Sequence, residues 1–269
     1  MPTDDVFILA CRRGDMKAVE RLVHSGRPLN AADKSGLFPL IIAVYKDNMP
    51  LVKYLLAHGA DVNFHPFYGP AIVVSQTEEM ALFLLKQGTD IDCRPKSEGG
   101  PTVSNILFFM AAGRGWMNLL AQVHIKVKDV NIRDYYGHTP LAGAARNGQV
   151  EALRMLLKWG ATVDSADSNG ITPLMEACCA GQVSTASELI AAGADVNRTD
   201  KGGISVLALA VFRCWSPAPP ADYGPRDKRP ILRLLLEAGA KLDKSVVVKL
   251  EHTPCKDAYE MLSQVSASQ

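Results

Sequence analysis

The chain has 269 residues, of which 48% are hydrophobic, 21% charged and 7% aromatic, with 29 basic against 28 acidic side chains. That composition excludes collagen, coiled coil and bulk disorder. The near-neutral balance argues against a protein whose main task is coating nucleic acid or an anionic membrane.

The longest apolar runs, such as 6–11 and 106–112, fall far short of the ~20 residues a membrane-crossing helix needs. The start, MPTDDVFILACRRGD, puts acids before its apolar run and fails as a secretory signal. The end, SASQ, carries no prenylation box. Six unevenly spaced cysteines, Cys178 and Cys179 adjacent, read as reduced thiols. The expected location is therefore cytoplasmic, nuclear or both.

Taken in chain order, FILACRRGDMKAVERLVHSG predicts a first helical pair whose Arg12, Arg13, Lys17 and Arg21 suit a solvated outer face. A second unit runs from Asp33 to Asn63. The third, GPAIVVSQTEEMALFLLKQG, is four residues short after its glycine, which predicts a clipped first helix or an extended segment. The fourth is expected to carry four inserted residues after Leu119-Leu120.

The clearest self-similarity follows. DYYGHTPLAGAARNGQVEALRMLLKWGATV starts at Asp134, DSNGITPLMEACCAGQVSTASELIAAGADVN at Asp167, and DKGGISVLALAVF at Asp200. Their glycines, Gly137, Gly170 and Gly203, are 33 residues apart, as are Gly36 and Gly69. Thr139-Pro140 and Thr172-Pro173 each put a hydroxyl at a helix N-cap and proline at the first helical position. Val150, Leu153, Leu156 and Leu157 mark one face of a second helix. Glycines such as Gly160 and Gly193 end these helices. The seventh unit is interrupted by CWSPAPPADYGPRDKRP, about thirteen residues beyond what the repeat requires, whose prolines favour an extended loop.

These segments resemble the ankyrin repeat over nearly the whole chain. The resemblance implies an all-α solenoid of stacked helix-turn-helix units with β-hairpin-like arms, about seven repeats and a terminal cap. As one domain over 1–269, its units are expected near 1–32, 33–65, 66–96, 97–133, 134–166, 167–199 and 200–243, with the proline-rich insertion at 215–229 and the cap at 244–269. The family's histidine after Thr-Pro-Leu is replaced by Ile41, Ala142 and Met175, so packing is expected to supply more of the cohesion between repeats.

In this family the concave surface of arm tips and first helices binds partners. By that correspondence the tips are Lys34-Ser35, Phe67-Tyr68, Glu98-Gly99, Tyr135-Tyr136, Ser168-Asn169 and Lys201-Gly202. Paired aromatics at two of these six tips point to interface anchors. First-helix positions facing the groove are expected to be Tyr45 and Lys46, Phe109 and Met110, Arg146 and Asn147, Cys179 and Ala180, and Phe212 and Arg213. His138 at a tip and Trp215 in the insertion complete the expected partner-binding set. The resemblance also marks Asn63 and Asn197 as positions for asparaginyl hydroxylation.

Chemistry is sparse. No G-x-S-x-G, H-E-x-x-H, G-x-x-x-x-G-K or G-x-G-x-x-G occurs, and His252 with Cys255 gives at most half a zinc site. The expectation is a monomeric, non-enzymatic adaptor or scaffold that needs no cofactor or metal and binds a protein or peptide, with no nucleic acid and no membrane. The alternative is a substrate-receptor or regulatory subunit of an enzyme assembly such as a ubiquitin ligase.

Overall fold

The computed structural model describes residues 6–33, 35–65, 69–95, 100–212 and 229–241. Its helices are, in chain order, α1 (Val6–Arg13), α2 (Met16–His24), α3 (Pro39–Tyr45), α4 (Met49–Ala57), a 3-10 helix (Ala71–Val74), α5 (Glu78–Lys86), α6 (Val103–Arg114) and α7 (Met117–His124). Then come α8 (Pro140–Arg146), α9 (Val150–Lys158), α10 (Pro173–Ala180), α11 (Val183–Ala191), α12 (Val206–Phe212) and α13 (Arg229–Glu237). The expected insertion at 215–229 and cap at 244–269 lie essentially outside the described residues, as do Phe67, Tyr68, Arg213, Trp215 and the side chain of Phe212.

The chain divides into two compact units, Met1–Phe108 with Ala121–Val127, and Phe109–Leu120 with Lys128–Gln269. In the first, α3 packs on α1, α4 and the 3-10 helix. In the second, α8, α10 and α12 pack side by side, and α9, α11 and α13 form a second row behind them. Every residue of α10 is buried, because it has a first helix on each side and α11 behind it. The second helices bury one stripe only, as Ala152, Leu153 and Leu156 do in α9. Burying each such leucine contributes about 1.5–3 kcal/mol, available only when a neighbouring repeat covers it.

Caps appear where the hydroxyls predicted them. Thr139 Oγ1 accepts from Ala142 N at 3.3 Å and Thr172 Oγ1 from Met175 N at 3.2 Å. Met175 Sδ also accepts from Thr172 N at 3.4 Å, closing the cap with sulfur. At α3 the threonine is replaced by Phe38, which makes no side-chain cap and instead meets Phe64 edge-on at 5.1 Å.

The clipped first helix of the third unit is the four-residue 3-10 helix. The fourth unit corrects the sequence reading. Gly115 to Asn131 is sixteen residues, as is Gly148 to Asp164, so nothing is inserted after Leu119-Leu120. The four extra residues are instead one turn of α6, which has 12 residues against 8 in α10.

Between repeats the cohesion is polar as well as apolar. Ile41, Ala142 and Met175 are buried, as expected of packing. A ladder of arm asparagines adds to it. Asn63 Oδ1 accepts from Asp90 N at 2.7 Å while its Nδ2 donates to the Gly88 carbonyl at 3.1 Å. Asn197 does the same with Lys241 N at 2.7 Å and Gly239 O at 3.2 Å. Asn30 bonds Asp61 N at 2.8 Å and Gly59 O at 3.5 Å, and Asn131 accepts from Thr162 N at 2.7 Å. Each bond satisfies a backbone group that the turn leaves open. Thr185 adds a buried bond from Oγ1 to the Ala145 carbonyl at 2.9 Å.

Candidate protein-binding surfaces

The arms are turns locked by aspartate rather than sheet; one antiparallel bridge, Thr199 to Ser205, is present among the described residues. Asp134 Oδ1 accepts from Tyr136 N and His138 N, both at 2.9 Å. Successive arms also hold each other, Ser168 N donating to the Tyr136 carbonyl at 3.1 Å. Gly137 has φ 83°, and a Cβ there would lie 2.9 Å from Ser168 N. Only glycine allows both the left-handed turn and that approach.

Around Tyr135 and Tyr136 the polar groups are engaged. Arg133 donates to the carbonyls of Gly137 (2.7 Å) and Ala166 (2.6 Å) and to Ser165 Oγ at 2.8 Å. His138 Nδ1 lies 3.0 Å from Asp134 Oδ2, and its Nε2 lies 3.5 Å from Asp167 Oδ2. On this fixed arm, Tyr135 is 95% exposed and Tyr136 65%. The two rings meet edge to face at 5.5 Å and do not fold onto a neighbouring arm for cover.

The first-helix positions divide by side-chain reach. Arg146 and Cys179 are equivalent, 33 residues apart. The arginine extends past its neighbours and lies 3.6 Å from the buried Glu176 carboxylate. The expectation that Cys179 and Ala180 face a groove is corrected: both are buried, because short side chains on α10 stay between α8 and α12. Asn147 is exposed, and its Nδ2 donates to the Gly113 carbonyl at 2.8 Å. That bond fixes the register of α6. The positions equivalent to Arg146 and Asn147 are Gly113 and Arg114, whereas Phe109 and Met110 sit one turn earlier and half-buried. Sequence reading passed over Arg114, whose guanidinium lies 4.7 Å from the Trp116 ring centre. The matching intervals from Gly115 and Gly148 were the signal for it.

In the first of the two compact units, Tyr45 is 59% exposed and Lys46 is exposed. Together they edge a groove of about 360 Å³ whose walls are Leu37, Ile41, Ile42 and Val74, with Arg12 on its rim.

The described residues contain no group of three or more His, Cys, Asp or Glu side chains arranged to hold a metal. Burial and the nearby Asp90 carboxylate push the Cys93 thiol up from its ordinary value, which disfavours the reactive thiolate. Among these residues, no helix is long and apolar enough to cross a membrane. Asn63 and Asn197, marked for hydroxylation, both serve the inter-repeat ladder.

Tandem short helix pairs, a 33-residue period and aspartate–glycine arms define a helical repeat protein that buries each unit's apolar face on its neighbours. The sequence model described as ankyrin repeats (3 copies) matches residues 7–95, 71–167 and 107–200, and the chain belongs to the ankyrin-repeat family. The human ASB11 ankyrin repeat domain superposes with a TM-score of 0.65 at 20% identity, covering 89% of this chain and 100% of that one. The human transient receptor potential cation channel subfamily A member 1 is 26% identical over 180 residues, covering 52% of this chain. The chain spans only 16% of that channel's length. The putative ankyrin repeat protein YahD of Escherichia coli (strain K12) is 26% identical over 178 residues, covering 62% of this chain and 84% of its own. Ankyrin repeats are in general protein–protein interaction modules.

Proposed function

We propose that this protein is a non-enzymatic adaptor that holds a protein or peptide partner on its arm tips and the exposed ends of its first helices. The observation that carries this reading is the Tyr135–Tyr136 pair, exposed on an arm whose backbone is fixed by Asp134, Arg133 and Ser168. Exposed aromatic area is unfavourable in water, and a rigid tyrosine loses little conformational entropy when it binds. Tyr45 in the second repeat and Arg146 in the fifth add contact groups of the kind that anchor interfaces.

The test is affinity capture with mass spectrometry, comparing the wild type with the Tyr135→Ala/Tyr136→Ala variant. Partners recovered by the wild type are lost from the variant, and the thermal unfolding midpoint barely moves. A variant that unfolds would assign the rings to the scaffold. A folded variant that keeps every partner would remove the tip from the binding surface.

A further inference from the structure

The groove beside Tyr45 exists because the third repeat's first helix stops early. Gly36 to Tyr45 is nine residues, whereas Gly69 to Val74, the last residue of the 3-10 helix, is five. Both helices begin within three residues of their glycine, so the missing residues are those of the C-terminal turn. Four residues make about 6 Å of α-helix, the turn that would otherwise stand beside Tyr45. The space left open is bounded by Val74 on one side and by Ile41, Ile42 and Tyr45 on the other.

The rim carries one sign of charge. Arg12 and Lys46 are exposed, and neither takes part in an ion pair among the described residues. The acid next in sequence, Asp47, accepts a hydrogen bond from Thr77 Oγ1 at 2.8 Å. A groove of about 360 Å³ lies at the small end of the ~300–1,000 Å³ typical of ligand pockets, a size for one or two side chains rather than a folded surface.

We infer that this groove takes one large apolar side chain of a partner protein's segment, with a carboxylate of that segment, within one helical turn of the anchor, set between Arg12 and Lys46. The inference rests on the protein-binding reading above and specifies the occupant of one part of that surface. The apolar walls select the anchor, because a polar side chain seated there loses water without gaining a partner. The two cations select its neighbour, since a basic segment meets like charge at the rim.

The test selects random 12-residue peptides displayed on phage against the full chain. Enriched peptides share a Leu, Ile, Met or aromatic residue with Asp or Glu within four positions. Synthetic copies bind the Arg12→Glu/Lys46→Glu variant at least about tenfold more weakly. Copies carrying Lys in place of their acids bind that variant better than they bind the wild type. Thermal unfolding of the variant matches the wild type, because both positions are exposed and unpaired. Enrichment without acids, indifference to charge reversal, or no enrichment overturns the inference. So does self-association of the chain that the charge reversal abolishes, since the occupant is then a second copy. If partners are still captured through Tyr135 and Tyr136 in any of these cases, only this inference fails; if that capture is absent too, the protein-binding reading fails with it.

Discussion

The arms at Asp134–Gly137 and Asp167–Gly170 are the same structure with different tips. In both, the aspartate Oδ1 accepts from the backbone two and four residues on, at 2.9 and 2.9 Å in the first and 2.8 and 2.8 Å in the second. In both, the tip carbonyl receives an amide from the next arm: Tyr136 from Ser168 at 3.1 Å, Asn169 from Lys201 at 2.9 Å. The tip side chains are Tyr-Tyr in one and Ser-Asn in the other. Aspartate and glycine therefore set the turn, and the two residues between them are left to vary without cost to the fold. On the protein-binding reading proposed above, scaffold and specificity lie a few ångströms apart on one turn.

The comparison breaks most visibly at the glycine. A Cβ on Gly170 would lie 2.8 Å from Lys201 N, at φ 84°. Gly170→Ala is expected to cost about 2–4 kcal/mol through left-handed strain and displacement of the next arm. Gly193 has a similar φ of 91° but open space around its Cβ position, so Gly193→Ala should cost only about 1 kcal/mol. Chemical denaturation of the two variants checks the ordering; equal losses would mean the close approach of the arms contributes nothing.

The ladder between repeats gives the next effect. Asn63→Ala leaves the Asp90 amide and the Gly88 carbonyl without their side-chain partner, for about 1–2 kcal/mol in the same measurement. At the equivalent position in the fifth repeat, Asp164 Oδ2 accepts from Asp195 N at 3.1 Å, but its Oδ1 is buried without a hydrogen-bond partner. An asparagine there supplies the donor that Asn63 and Asn197 aim at a glycine carbonyl. Asp164→Asn is expected to stabilise the protein by about 0.5–1 kcal/mol. A destabilised variant would show that the repeats are not equivalent at this position.

What was legible in the sequence was whatever depends on a residue's own backbone. Thr139 and Thr172 announced caps, Gly137 and Gly170 announced turns, and the short run after Gly69 announced a clipped helix. What depends on neighbours was not. Cys179 and Arg146 share a position, and only the length of the side chain decides which one clears the adjacent helices. The expected insertion after Leu119-Leu120 is the example: Leu120 is equivalent to Leu153 and Val123 to Leu156, with nothing inserted between. All four of these residues that pair up this way are buried, so hydrophobicity alone does not fix the register. The Tyr135–Tyr136 tip could be placed from the repeat, but its exposure required the arm's hydrogen bonds.

The smallest stability effect is the sharpest test of the separation. Replacing Tyr135 and Tyr136 by Ser and Asn, the pair on the next arm, retains the Asp134 bonds and the backbone bond from Ser168, because none of them uses a tyrosine side chain. Lost are the ring contact at 5.5 Å and the tilted contact of Tyr136 with His138 at 5.8 Å, both on an exposed surface. The expected change is within about 0.5 kcal/mol, as for surface substitutions elsewhere. The denaturation midpoint should therefore stay in place while partner capture through this tip falls away. A loss of 2 kcal/mol or more, about the size expected for a strained glycine variant, would mean that the rings brace the arm, and scaffold and specificity would no longer be separable on this turn.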